Sequence, residues 1–233
     1  MIALLLVPAA MATAALTLKR DTQAATVYVR KPKGTLYWGG AGLDGPYVQP
    51  QLAAFREAGI SHVSAGLTNT ATRLLRTDAG TLFDAVRAGI LIRYEDADEW
   101  TITSGMSDVG PQFNLIGYSY GSLLAAQTAN WYAKQAHVVD HFVLIGSPID
   151  AEFLKRLRQV GSIRKVVIVD LTEFGDPIHA GISQFDLMKA LPEIQLQKQR
   201  NQGDGHFYYS HLVRGSDLRW AALAGKLFQE GLR

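Results

Sequence analysis

Residues 113–126 read Phe113-Asn114-Leu115-Ile116-Gly117-Tyr118-Ser119-Tyr120-Gly121-Ser122-Leu123-Leu124-Ala125-Ala126. The apolar run over 113–116 predicts a buried strand. The stretch over 119–135, with no Pro and no Gly after Gly121, predicts a long helix. Between them Gly117 to Gly121 form a G-x-S-x-G sequence. Such a pattern arises by accident in about one chain in ten of this length and composition, so its strand-turn-helix setting is what gives it meaning. A turn this sharp forces Ser119 into a strained backbone conformation, and glycines on both sides let neighbouring backbone approach without a Cβ clash. The Ser119 hydroxyl is then expected above the carboxyl edge of a sheet, beside a helix N-terminus that favours developing negative charge. The alternative reading is a tight strand-to-helix turn with Ser119 as an N-cap.

Outward from this stretch, short apolar runs alternate with helical ones. Strands are expected over 25–29, 35–38, 60–65, 142–145 and 165–170. Helices are expected over 47–58, 79–88, 151–159, 184–191 and 217–230, and 90–94 is an apolar run of undecided type. Pro46 before the 47–58 helix and Gly59 just after it follow the usual start and stop asymmetry. Strands such as Val166-Val167-Ile168-Val169 are continuously apolar, as strands are when helices cover both faces of a parallel sheet. The expected fold class is α/β, a three-layer α/β/α sandwich with a mostly parallel sheet. No repeat or linker divides 26–233, which therefore reads as one domain.

The chain has 233 residues, 48% hydrophobic and 19% charged, enough to bury a core and too apolar for a disordered chain. With 23 Lys plus Arg against 21 Asp plus Glu and no large basic block, nothing favours nucleic acid as a partner. The absence of cysteine removes disulfides, thiolate nucleophiles and Cys-based zinc sites together. His137 and His141 have the spacing of paired metal ligands on a helix, but an adjoining strand or turn breaks that geometry. No metal and no cofactor are expected.

With its glycine-flanked serine between strand and helix, the segment Gly117-Tyr118-Ser119-Tyr120-Gly121 resembles the nucleophile elbow of the α/β-hydrolase superfamily. The resemblance extends over 26–233 and implies a serine, acid and histidine triad in that chain order. After the 165–170 strand comes Leu171-Thr172-Glu173-Phe174-Gly175-Asp176-Pro177-Ile178. Its Gly-Asp-Pro looks like the acid loop of many such hydrolases, which favours Asp176 over Asp170 at the strand end and over Glu173. An ordinary Asp-Pro turn is the plainer reading of Asp176, and a capping carboxylate that of Asp170. Gly203-Asp204-Gly205-His206-Phe207-Tyr208-Tyr209 resembles the late loop that carries the family's base, which favours His206 over His211. His179, close to Asp176 in the chain, is a loop residue or an edge of the site.

The resemblance also implies an oxyanion hole. One donor is the backbone N–H of Tyr120, directly after the nucleophile. The second comes from Trp38-Gly39-Gly40-Ala41-Gly42, where the family's His-Gly pattern is missing, so that Gly40 and Ala41 are alternatives. Only 19 residues (146–164) separate Ile145 from Lys165, and most fit one helix, so a minimal fold without a lid domain is expected. The stretch 100–113 lacks the helix that the family commonly places before the elbow strand. Tyr47, Tyr118, Tyr120, Phe174, Phe207 and Tyr208 are candidates to line an acyl groove, or they are core packing. The implied activity is hydrolysis of carboxylic esters, lipid esters in particular. A thioesterase, an acyltransferase and a non-catalytic binding relative are the alternatives.

At the amino terminus, 2–18 carries no charge and is followed by Lys19 and Arg20. As a helix it would span about 26 Å, slightly less than a hydrocarbon core of about 30 Å. Residues 1–25 are expected to be a signal peptide or membrane anchor, with Ala12-Thr13-Ala14 suited to cleavage. The basic residues that follow would hold the domain on the cytoplasmic side of a membrane. Membrane-associated or periplasmic and secreted placement is favoured over a cytoplasmic one, with an alanine-rich segment packed on the domain as the alternative.

Overall fold

A computed structural model of the protein describes residues 33–40, 45–66 and 110–233. The amino-terminal segment and the elements expected over 25–29, 79–88 and 90–94 lie outside the described residues, as does most of the 100–113 stretch.

The described strands are β1 (Gly34–Trp38), β2 (Val63–Ala65), β3 (Phe113–Tyr118), β4 (Val139–Ile145) and β5 (Ile163–Val169). They form one parallel sheet in the order β2-β1-β3-β4-β5. Among the described residues, five α-helices accompany them: α1 (Val48–Glu57), α2 (Tyr120–Lys134), α3 (Ala151–Gln159), α4 (Gln184–Arg200) and α5 (Ser216–Gln229). The class is therefore α/β.

Alternation along the central strands divides the core. Leu36, Trp38, Leu115, Phe142 and Leu144 cluster with Leu124 and Ala125 of α2 and with Phe153 and Leu157 of α3. Their neighbours Tyr37, Ile116, Tyr118, Val143 and Ile145 cluster with Leu52 and Phe55 of α1 and with Trp220, Leu223 and Leu227 of α5. Both sets are buried, which explains why these strands are apolar at successive positions. The edge strand β5 instead exposes Arg164 and Lys165, which pair with Asp140 and Glu230.

Most expected elements lie within a few residues of their observed bounds, and α3 has the bounds expected. The strand expected over 60–65 shortens to Val63–Ala65, preceded by His62 at φ 55. The larger difference is α4. The helix expected over 184–191 runs through Pro192 and on to Arg200. Proline deprives the carbonyl four residues earlier of its partner. That residue is Met188, on the exposed face of α4, where water can take the place of the missing N–H. The opposite face of α4 packs Leu187 and Ala190, before the proline, and Ile194, after it, against Ile178 and Ile182, so tertiary contact holds the helix together across Pro192. Among the described residues, no helix is long and apolar enough to cross a membrane.

Candidate active site

β2 and β3 flank β1 on opposite sides, so the strand order reverses at β1. In open α/β sheets the crevice at such a reversal, outside the carboxyl ends of the strands, is where ligands bind. Ser119 stands there, between the end of β3 and the start of α2, with φ 52 and ψ −122. A non-glycine residue at positive φ of this kind costs about 1–3 kcal/mol and persists only where its surroundings over-determine it. Here they do. The Ser119 N–H donates to the Ile145 carbonyl at 2.8 Å, and its own carbonyl accepts from the Ser122 N–H at 3.0 Å. The Ser122 hydroxyl donates to the same carbonyl. Ser147 Oγ lies 2.7 Å from Ser122 Oγ, placed to donate to it, and accepts from the Ile149 N–H.

The two glycines of the turn are required by close packing of backbone. A Cβ at Gly117 would overlap the backbone of Gly121 and Ser122. One at Gly121 would overlap the carbonyl oxygens of Trp38 and Gly39, because the chain leaving β1 passes directly against the start of α2. Ser119 makes no capping hydrogen bond through its side chain. The residue is half-buried and its hydroxyl faces a histidine instead.

That histidine is His206. Its Nε2 lies 2.6 Å from Ser119 Oγ, and its Nδ1 lies 2.8 Å from Asp176 Oδ2. Asp176 is buried, and its other oxygen accepts from the Ile178 N–H at 2.8 Å. With both carboxylate oxygens engaged, the imidazole is directed to carry its Nδ1 proton toward Asp176 and to present Nε2 as an acceptor to the serine. The arrangement can take a proton from Ser119 and stabilise the resulting imidazolium.

The competing candidates lie elsewhere. Asp170 accepts from the Ala180 N–H at 2.9 Å, the capping role its strand-end position suggests. Glu173 is exposed in a short 3₁₀ turn (Thr172–Phe174), and His179 is also exposed. His211 stacks on Phe207 with ring centroids 4.6 Å apart, and burial pushes its pKa down. His141 belongs to β4, where its Nδ1 lies 2.9 Å from Asn114 Oδ1. Among the described residues, no group of three or more His, Asp or Glu side chains gathers as a metal ion would require.

Of the expected oxyanion donors, Tyr120 occupies the first position of α2, whose earliest N–H groups lie outside the helix's internal ladder. Gly40 donates its N–H to the Tyr47 hydroxyl at 2.6 Å, and Ala41 lies outside the described residues. Tyr47, Tyr118 and Tyr120 are buried in the core. Phe174 and Tyr208 stack on each other at 3.6 Å, joining the loop of Asp176 to that of His206.

The sequence marked none of the side chains that hold the His206 loop for that role: Arg219 and Gln197 were not singled out, and Tyr118 was a candidate only for an acyl groove or the core. The Tyr118 hydroxyl donates to the His206 carbonyl. Burial, and then the neighbouring Tyr47, push its pKa well above the ordinary tyrosine value, so it remains a donor. Arg219 of α5 donates to the carbonyls of Gly203 (2.5 Å) and Tyr208 (3.0 Å), bracketing the loop. Gln197 of α4 accepts from the His206 N–H. An expected end of α4 at residue 191 left Gln197 outside any element, and no local pattern marked it.

No protein-family model matches this chain, and no match is found among curated proteins or solved structures.

Proposed function

We propose that the protein is a serine hydrolase of carboxylic esters, with a fold of the α/β-hydrolase kind: a minimal three-layer sandwich without a lid domain. One observation carries this reading. A serine held at positive φ at a sheet's carboxyl edge has its Oγ 2.6 Å from a histidine Nε2 whose Nδ1 is 2.8 Å from a buried carboxylate. Backbone strain of this kind costs stability and clusters at functional sites, and a buried polar chain is tolerated only when its groups are hydrogen-bonded, as these are.

In the proposed reaction Ser119 Oγ attacks the acyl carbon while His206 Nε2 takes its proton. Asp176 keeps the Nδ1 proton in place and balances the imidazolium charge. The oxyanion forms beside the N-terminus of α2, where the Tyr120 N–H is one proposed donor and Ala41 or Gly40 the other. Gly40 would have to exchange its bond to Tyr47 in order to serve. His206 then returns the proton to the leaving alcohol. Water repeats the sequence on the acyl-enzyme and regenerates Ser119. Lipid esters are the proposed substrates because of the uncharged 2–18 segment, which would bring the domain to a membrane.

The test is labelling with a fluorophosphonate probe, comparing the intact protein with Ser119→Ala. Labelling of the intact protein and its loss in the variant are expected, along with a fall in esterase turnover on the order of 10⁶-fold. Equal labelling of both would remove the nucleophile and the reading with it. A panel of p-nitrophenyl esters and phospholipid vesicles then defines the substrate: activity rising at the lipid surface is expected, and activity confined to short soluble esters would refute the lipid assignment.

A further inference from the structure

We infer that Gln197 is a positioning residue, whose single buried amide sets the His206 imidazole against Asp176. The inference rests on the hydrolase reading above and adds a part to that site. Gln197 is 2% exposed, on the inner face of α4, and its amide joins two loops that are remote in sequence. Its Oε1 accepts from the His206 N–H at 2.8 Å. Its Nε2 donates to the Gly175 carbonyl at 2.9 Å, one residue before Asp176, and to Glu193 Oε1 at 3.2 Å. One planar group thus spans the main chain of the acid loop and the main chain of the base itself.

Two further features suit this role. Gly205 has φ +52, and a Cβ there would overlap the Gln197 amide, so the glycine before His206 gives the amide room to reach the backbone. On the other side, the Tyr118 hydroxyl holds the His206 carbonyl, so both polar groups of the His206 backbone are bound by side chains from separate elements. With its backbone held at both ends, the imidazole has little freedom left except rotation about its own side-chain bonds, and Asp176 and Ser119 restrain that. A displacement of about 1 Å in such a constellation costs roughly 10²-fold in rate.

The experiment uses Gln197→Met, which keeps length and bulk but neither hydrogen bond, in the full-length protein with a p-nitrophenyl ester. Fluorophosphonate titration counts competent sites, so kcat is expressed per site and unfolded protein does not contribute. The expected result is a fall in kcat per site of roughly 10²-fold with KM changed by less than about twofold. The downfield proton resonance of the His206 Nδ1–H should broaden or disappear. Unchanged kcat per site, with an unchanged resonance, would overturn the inference and leave the hydrolase reading intact. Loss of stability alone, with normal kcat per site, would also overturn it. If Gln197→Met gives no folded protein, Gln197→Glu keeps the acceptor for His206 and loses the donor to Gly175, and a fall in kcat per site is again required. Failure of the hydrolase reading itself shows separately, as Ser119→Ala labelling and turning over like the intact protein.

Discussion

Ser119 and His206 sit 2.6 Å apart, yet they are held there by different means. The serine is fixed mainly by backbone: a strand, a helix and two glycines within ten residues, tied to the neighbouring β4 by main-chain hydrogen bonds. The histidine is fixed by side chains from distant parts of the chain: Tyr118 at the end of β3, Asp176 after β5, Gln197 on α4 and Arg219 on α5. A backbone device is stiff and fails all at once when a Cβ intrudes. A side-chain cradle can be weakened one bond at a time, which makes it the part where activity should be separable from stability.

After Ser119→Ala, the largest effect should come from Asp176→Asn, where the two regions meet. The Ile178 N–H would select the amide oxygen, leaving the NH₂ facing His206 Nδ1. The ring would then carry its proton on Nε2, toward Ser119, and could not accept another. Steady-state kinetics should show kcat lower by about 10⁴-fold, with Tm nearly unchanged. A loss under tenfold would mean that the carboxylate does not set the tautomer.

Gly121→Ala tests the stiffness of the serine side. Its Cβ meets two backbone carbonyls that cannot rotate away, so urea unfolding should show a loss of about 3 kcal/mol, at the upper end for an overpacked site. A loss under about 1 kcal/mol would show that the elbow yields more easily than its geometry implies. Arg219→Met tests the other side. It removes two charge-assisted bonds to the histidine loop and a guanidinium 4.1 Å from the Tyr208 ring. A stability loss of about 1–3 kcal/mol, with kcat/KM lower by roughly tenfold, is expected by unfolding and kinetics. Full activity would exclude Arg219 from the cradle.

The smallest effect concerns pH and lies at the opposite end of the sheet. Burial pushes the pKa of His141 below its ordinary value, against the opposing pull of Asp140. The unfolded chain therefore takes up this proton at about pH 6.5, while the folded protein resists it until lower pH. More protons bound by the unfolded state mean that stability rises with pH, so it should decline as pH falls below about 6.5. His211, also lowered by burial, adds in the same direction. Tm measured between about pH 7.5 and pH 5.5 should fall, and His141→Asn, whose amide can replace the donor to Asn114, should flatten part of that slope. An identical slope in the variant would remove His141 as its source.

The α/β pattern and the elbow were legible because each depends on neighbours in the chain. Continuous apolar runs mark strands buried on both faces, and Gly117, Ser119 and Gly121 carry their geometry within five residues. Asp176 and His206 were legible by resemblance, through the Gly-Asp-Pro and Gly-His loops, and the structure joins those two side chains to Ser119. What could not be read was anything that depends on a helix outlasting its proline. Proline disfavours helix at Pro192, and beyond it Ile194 still packs on the cluster of Ile178 and Ile182 while Gln197 bonds to Gly175 and His206, which carries α4 on.

The sequence by itself thus determined the class of fold, the sharp turn that lifts Ser119, and the two glycine-bearing loops from which an acid and a base could come. Tertiary structure alone decided that Asp176 rather than Asp170, and His206 rather than His211, are joined to the serine, and that Gln197, Tyr118 and Arg219 hold the histidine. The reason is range: a turn is written in adjacent dihedral angles, whereas the meeting of residues 119, 176, 197 and 206 exists only once the sheet has brought their loops to one edge.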